Sequence, residues 1–285
     1  MNFYHSTAST FIADNKPIEE AFERITHLGI GAHQDDLEFM AFHGILSCFY
    51  KNDLWFGGVT CTNGGGSARS GAYASYTDKD MIGIRRHEQE QAAYVGRYGM
   101  MVQLDHSSSA IKDSNNTTLQ EDLQKILLAT QPSIVYTHNP ADKHDTHIGV
   151  LVAAIRAIRS LSPDQRPQTV YGCEVWRSLD WMPDEHKILL DVGGNDNLAM
   201  SLNGLFDSQI AGGKRYDLAT LGRRRANATF FSSHATDEAE QLWFAMDLSP
   251  LAHDDTLDIT EYITRYLQKF VDDVNQKLNT QLGRV

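Results

Sequence analysis

Between residues 25 and 158 the chain alternates short apolar runs with stretches whose apolar residues return every three or four positions. "ITHLGIGAH" (25–33), "LWFGGVTCT" (54–62), "MMVQLD" (100–105) and "SIVYTHN" (133–139) have the length and composition of buried strands. Between them, Phe39, Met40, Phe42, Ile45, Leu46 and Phe49 recur at helical spacing, and "RRHEQEQAAYVGRYG" reads as a second helix. Leu119, Leu123, Ile126 and Leu127, then Ile148, Leu151, Val152, Ile155 and Ile158, mark two more. Thr118 and Glu121 carry the T-x-x-E spacing of a capping box. Strands joined through a helix pair in parallel, so the alternation predicts βαβ units and an α/β fold with a mainly parallel twisted sheet flanked by helices.

After residue 165 the alternation loosens. "QTVYGCEVW" and "HKILLDV" are expected strands, "LAMSLNGLFDSQI" an expected helix, and Ile259, Ile263, Leu267, Phe270 and Val274 mark a C-terminal helix. No repeat or linker divides the chain, so one domain over 1–285 is expected, with a core to residue 165 and later elements shaping a pocket. A net charge of −12 repels phosphate backbones and anionic membranes and favours an uncharged or cationic small molecule as partner. Cys48, Cys61 and Cys173 form no C-x-x-C pair and are expected to pack as buried apolar residues. "MNFYHSTASTFIADNK" lacks the pattern of a secretory leader, and the cytoplasm is the expected address.

The concentrated chemistry lies at two strand ends. "GAHQDDLEFM" (31–40) places His33, Asp35, Asp36 and Glu38 after the first strand, and "THNPADKHDTH" (137–147) follows the fourth. Open α/β sheets bind ligands beyond the carboxyl ends of their strands, and the first and fourth strands are neighbours in the common order, so the clusters should meet. His33, Asp36 and His147 would make a two-histidine, one-carboxylate metal set that leaves Asp35 beside it as a base. Taken singly, each of these groups is equally a solvated acid, a helix cap or a loop histidine, and spacing alone leaves both readings open.

"GAHQDDLE" resembles the AHPDDxE motif of the PIG-L/LmbE family of zinc-dependent de-N-acetylases acting on N-acetylglucosamine conjugates. "HDTH" (144–147) is similar to that family's second motif, "TNGGGS" (62–67) to its Thr-x-Gly loop, and "RRHEQEQAA" (85–93) to its R-x-x-E helix start. The resemblance covers about the first 160 residues, in family order. It implies one zinc, or another divalent transition metal, on His33, Asp36 and His147. It further implies a Rossmann-like fold, Asp35 as general base and His144 as stabiliser of the tetrahedral intermediate. Arg85 (or Arg86) and Asn63 are the expected substrate-binding residues, and a homo-oligomer is compatible with the family. Gln34 replaces the usual proline, and Asp145 stands one place from its common position.

Other features have plainer readings. Gln34 occupies the place of the third glycine of a dinucleotide fingerprint, which disfavours NAD. Arg223, Arg224 and Arg225 read as a solvated or salt-bridged helix face, and His234 as structural. Trp55, Trp176, Trp181 and Trp243 read mostly as core, with Trp176 or Trp181 available to stack on a sugar. Rival functions are hydrolysis of an amide that is not on a sugar, such as a thiol conjugate, a non-catalytic ligand-binding module, and nucleotide binding.

Overall fold

The structure is a computed structural model that describes residues 1–284. Eight strands form one sheet: β1 (Ser9–Phe11), β2 (His27–Gly31), β3 (Phe56–Thr62), β4 (Met100–His106), β5 (Ile134–His138), β6 (Thr169–Cys173), β7 (Ile188–Asp191) and β8 (Leu242–Asp247). Their spatial order is β1-β4-β3-β2-β5-β6-β8-β7, parallel from β4 through β6, with β1 antiparallel to β4 and β8 antiparallel to both β6 and β7. The four early strands fall where the apolar runs placed them, and the first and fourth are neighbours as β2 and β5. The residues beyond 165 extend the same sheet rather than building another.

Two strands were not legible in the sequence. One is the short edge strand β1; the other is β8, which inserts between β6 and β7. "LWFAMD" is apolar throughout, so it carries no alternation from which a strand could be told from a buried helix. The expected helix over 198–210 is two, Asp196–Gly204 and Asp207–Ile210. The capping box at Thr118 does not form. The helix Thr118–Thr130 starts after Thr117, whose hydroxyl donates to the Glu121 carboxylate without capping a helix N–H, while Thr118 donates to Asn116.

Helices cover both faces of the sheet. Ile30, Val59, Val102 and Val135 pack on one side against Leu123, Ile126, Leu151 and Ile155. On the other side Phe42, Phe56, Tyr98, Tyr136 and Trp243 form a more aromatic layer. All three cysteines are free and buried. Arg224 corrects the solvated-face reading: it is fully buried, its guanidinium lies 4.3 Å over the Phe42 ring, and it donates to the carbonyls of Glu38 and Phe39. Among the described residues no helix is long and apolar enough to cross a membrane.

Gly31 sets the geometry of the site that follows. A Cβ there would stand 3.1 Å from Cβ of Asp36 and 3.2 Å from the Leu37 side chain. A bare glycine lets the helix Asp36–Met40 fold directly back over the end of β2, carrying Asp36 with it.

Candidate active site

The carboxyl ends of β2 and β5 face one cavity of about 370 Å³. His33 and Asp36 enter from the turn after β2, and His147 from the first turn of the helix Asp145–Arg159 after β5. Nδ1 of His33 lies 3.2 Å from Oδ2 of Asp36 and 3.2 Å from Nε2 of His147, and the last two atoms are 3.5 Å apart. Donors at about 2.05 Å around a tetrahedral ion stand about 3.3 Å from one another, so these three atoms already describe one face of such a site. Asp36 is held well below the usual carboxylate range: burial alone would raise it, but the imidazoles of His147, His138 and His33 outweigh that cost. Burial keeps His33 neutral, the form that ligates.

His138 is also within reach of Asp36 and His147, and its ring stacks on His147 at 3.9 Å. Its Nε2, however, accepts the backbone N–H of Ala32 at 2.9 Å. One lone pair cannot serve both a proton and a metal, so His138 is a brace for the β2 end rather than a ligand.

Asp142 completes the set from outside it. Its Oδ2 accepts from Nδ1 of His147 at 3.0 Å, which leaves Nε2 unprotonated and aimed at His33 and Asp36. A carboxylate behind a ligating imidazole fixes the tautomer and raises its donor strength. The sequence reading missed Asp142; its only signal is an acid in the same loop, two residues before His144. Asp142→Asn should weaken metal affinity about 10–100-fold while leaving the fold intact, as titration calorimetry with zinc would show. Unchanged affinity would remove Asp142 from the site.

Asp35 does not join the three donors. It occupies a left-handed backbone conformation (φ 99°), which turns its side chain away from that of Asp36. Its N–H donates to Oε1 of Gln89, and its carboxylate pairs with Arg85 at 3.3 Å. Gln89 is in turn fixed by Glu38, which accepts from Gln89 at 2.8 Å and from the Tyr98 hydroxyl at 2.6 Å. Burial pushes the Asp35 carboxyl well above the usual range; Arg85 opposes this, and Asp36, Glu38 and Glu88 add to it. A buried carboxylate with raised proton affinity is suited to accept a proton.

His144 caps the helix that carries His147. Its Nδ1 accepts the N–H of Thr146 at 3.2 Å, and its ring meets that of His33 edge-on at 4.9 Å. Burial depresses its pKa, so the neutral ring bears its proton on Nε2.

The structure separates the two candidate arginines. Arg85 lines the cavity and donates to Asp35, to the carbonyl of Gln34 and to the Ser67 hydroxyl; Arg86 pairs with Asp105 at 3.1 Å. With those partners Arg85 orders Asp35 and the glycine loop. Asn63 sits in the loop behind the cavity wall. Its Oδ1 accepts the N–H of Gly65, it is absent from the cavity lining, and Gly64, Gly66 and Ser67 line the wall instead. Asp145 and His234 are exposed and stand outside the cavity lining.

Residues 28–158 match the family described as PIG-L: GlcNAc-PI de-N-acetylase. This stretch is a PIG-L family domain. The family is one of N-deacetylases, hydrolases of an N-acetyl amide bond. Curated protein sequences give no match. Among solved structures, the chain resembles N,N'-diacetylchitobiose deacetylase from Pyrococcus horikoshii (TM-score 0.59, 15% identity, 85% of this chain and 90% of that one). It also resembles GalB, the 4-carboxy-2-hydroxymuconate hydratase of Pseudomonas putida KT2440 (0.59, 17%, 78% and 95%). A third is the conserved protein TT1542 of Thermus thermophilus (0.58, 15%, 77% and 93%).

The PIG-L domain supplies every candidate donor and base but only part of the cavity wall. Val175, Trp176, Gln209, Lys214 and Tyr216 line the remainder, and all lie beyond residue 158. Glu88 ties that wall to the domain: its carboxylate accepts from the Ser208 N–H at 2.7 Å and hydroxyl at 2.6 Å. Arg85 and Glu88 sit three residues apart on one helix face, so the R-x-x-E pattern orients the base with one residue and docks the late segment with the other.

Proposed function

We propose that this protein is a zinc-dependent hydrolase that removes the N-acetyl group from an N-acetylglucosamine-type amino sugar or glycoconjugate. One observation carries the reading. His33, Asp36 and His147 bring three donor atoms within 3.5 Å of one another in a cavity that also holds a second carboxylate, Asp35, paired with Arg85.

Zinc held by His33, Asp36 and His147 would supply a Lewis acid that polarises the amide carbonyl and acidifies a water, and iron or cobalt could occupy the same donors. Asp35 takes the proton from the attacking water as its oxygen bonds to the acyl carbon. It then returns that proton to the amine nitrogen as the C–N bond breaks. His144 donates a hydrogen bond from Nε2 toward the charge that develops on the carbonyl oxygen. Trp176 and Tyr216, whose rings meet edge-on at 6.3 Å, wall the side where the sugar would lie. Three free, buried thiols fit a reducing compartment, and we place the protein in the cytoplasm.

The hydratase among the structural neighbours favours one rival, a site that activates water without cleaving an amide. Acetate release from the zinc-loaded protein separates the two, using free N-acetylglucosamine, chitobiose and an inositol- or malate-linked glucosaminide, each with and without chelator. Release that the chelator abolishes is the expected result. Silence from protein holding one zinc would move the reading to an amide off the sugar or to water addition. Silence from protein that holds no metal would move it to a binding module.

A further inference from the structure

The helix Ile259–Gln281 buries only Tyr262 and Ile263. It leaves the body near Tyr266 and Lys269, which meet His186. Beyond that point its side-chain hydrogen bonds stay within the helix: Gln268 to Asp272, Lys277 to Asp273 and Thr280 to Gln276. Yet Leu267, Phe270, Val271, Val274, Leu278 and, just past the helix, Leu282 fall on one side of it, each 37–57% exposed. At 100° per residue these six occupy one stripe about 120° wide, the pattern of a helix that packs against a partner. Sixteen helical residues are marginal alone in water, so something must cover the stripe.

We propose that a second copy of this chain covers it, through an antiparallel pairing of the two C-terminal helices centred near Val274 and Asn275. The charges beside the stripe select this partner and this direction. Asp273 and Lys277 lie on the same shoulder, one turn apart, and pair with each other at 2.6 Å. The opposite shoulder carries Gln268 and Asn275, which are neutral. In an antiparallel pair each shoulder meets the same shoulder of its partner, so each Asp273 faces the other copy's Lys277. A parallel pair would set both charges against the neutral shoulder. The same centre places Leu267 opposite Leu282 and Val271 opposite Leu278. A lipid surface is the weaker occupant. From Leu267 to Arg284 the helix carries three cations and two acids, short of the basic face that anionic lipid selects.

Sedimentation velocity of the full chain, from low to high micromolar concentration, tests this. The expected result is reversible dimerisation that Leu278→Asp abolishes, with circular dichroism of the body and amide hydrolysis retained. Asp273→Lys and Lys277→Asp should each weaken association at least about tenfold, by setting like charges face to face, and the double exchange should restore it. A wild-type chain that stays monomeric overturns the proposal, including one that binds vesicles instead. So does an assembly that Leu278→Asp leaves intact. Single exchanges that associate like the wild type, or a double exchange that fails to recover, overturn the antiparallel pairing.

Discussion

Asp35→Asn should lower the turnover of an amide substrate by about a thousandfold while the protein still binds one equivalent of zinc. The substitution keeps the size of the side chain and an oxygen that can accept from Arg85. Asparagine also tolerates the left-handed backbone that Asp35 adopts, so the turn should survive. What disappears is the capacity to hold a proton between the attacking water and the departing amine. The loss should therefore fall on kcat, with KM and zinc affinity near those of the wild type. Steady-state rates beside zinc titration distinguish the outcomes. Full turnover in a zinc-replete variant would mean that another group takes the proton. A parallel loss of zinc would mean that Asp35 belongs to the donor set.

Glu174→Gln is expected to raise stability at pH 7 by about 3 kcal/mol while changing it little near pH 4.5. Glu174 is fully buried after β6; one oxygen accepts from the N–H of Leu179 at 2.9 Å and the indole of Trp181 at 3.0 Å, and the other has no partner. Burial raises its pKa from 4.5 to about 7. An unfolded chain releases this proton near pH 4.5, whereas the folded chain holds it until about pH 7. Across that window the folded state binds more protons, so stability falls as pH rises, and above it the deficit is constant. Glutamine keeps the accepting oxygen and cannot ionise. Urea unfolding of both proteins across pH 4.5–8 would show their stabilities diverging with pH. Parallel curves would mean that Glu174 meets water in the folded state.

The parts of the fold that were legible are those whose signal is local. Strands β2 to β5 are short apolar runs between polar or glycine breaks, and the helices between them repeat at helical spacing, so the parallel core follows from pattern alone. That His33, Asp35, Asp36, His144 and His147 would meet in one cavity was legible because motif and topology converge on two adjacent strand ends. What escaped depends on partners distant in sequence. Arg224 sits within an arginine triplet that looks solvent-facing, yet it is buried because the carbonyls of Glu38 and Phe39 need a donor there. Asn63 looked available because its partner is a backbone N–H. Gln89 and Glu88 gave no sign of their tasks, since one serves the Asp35 N–H and the other Ser208.

The Glu88–Ser208 contact has an evolutionary consequence. The candidate bond-breaking groups and much of the chamber's far wall belong to different stretches of chain, joined through Glu88 on Ser208 and Tyr73 on Asp207. A lineage could lengthen, shorten or exchange the stretch around residues 207–216 and so turn to a new acylated amine. What it would need to keep is a hydroxyl and an N–H where Glu88 can grip them, and a carboxylate where the Tyr73 hydroxyl can donate.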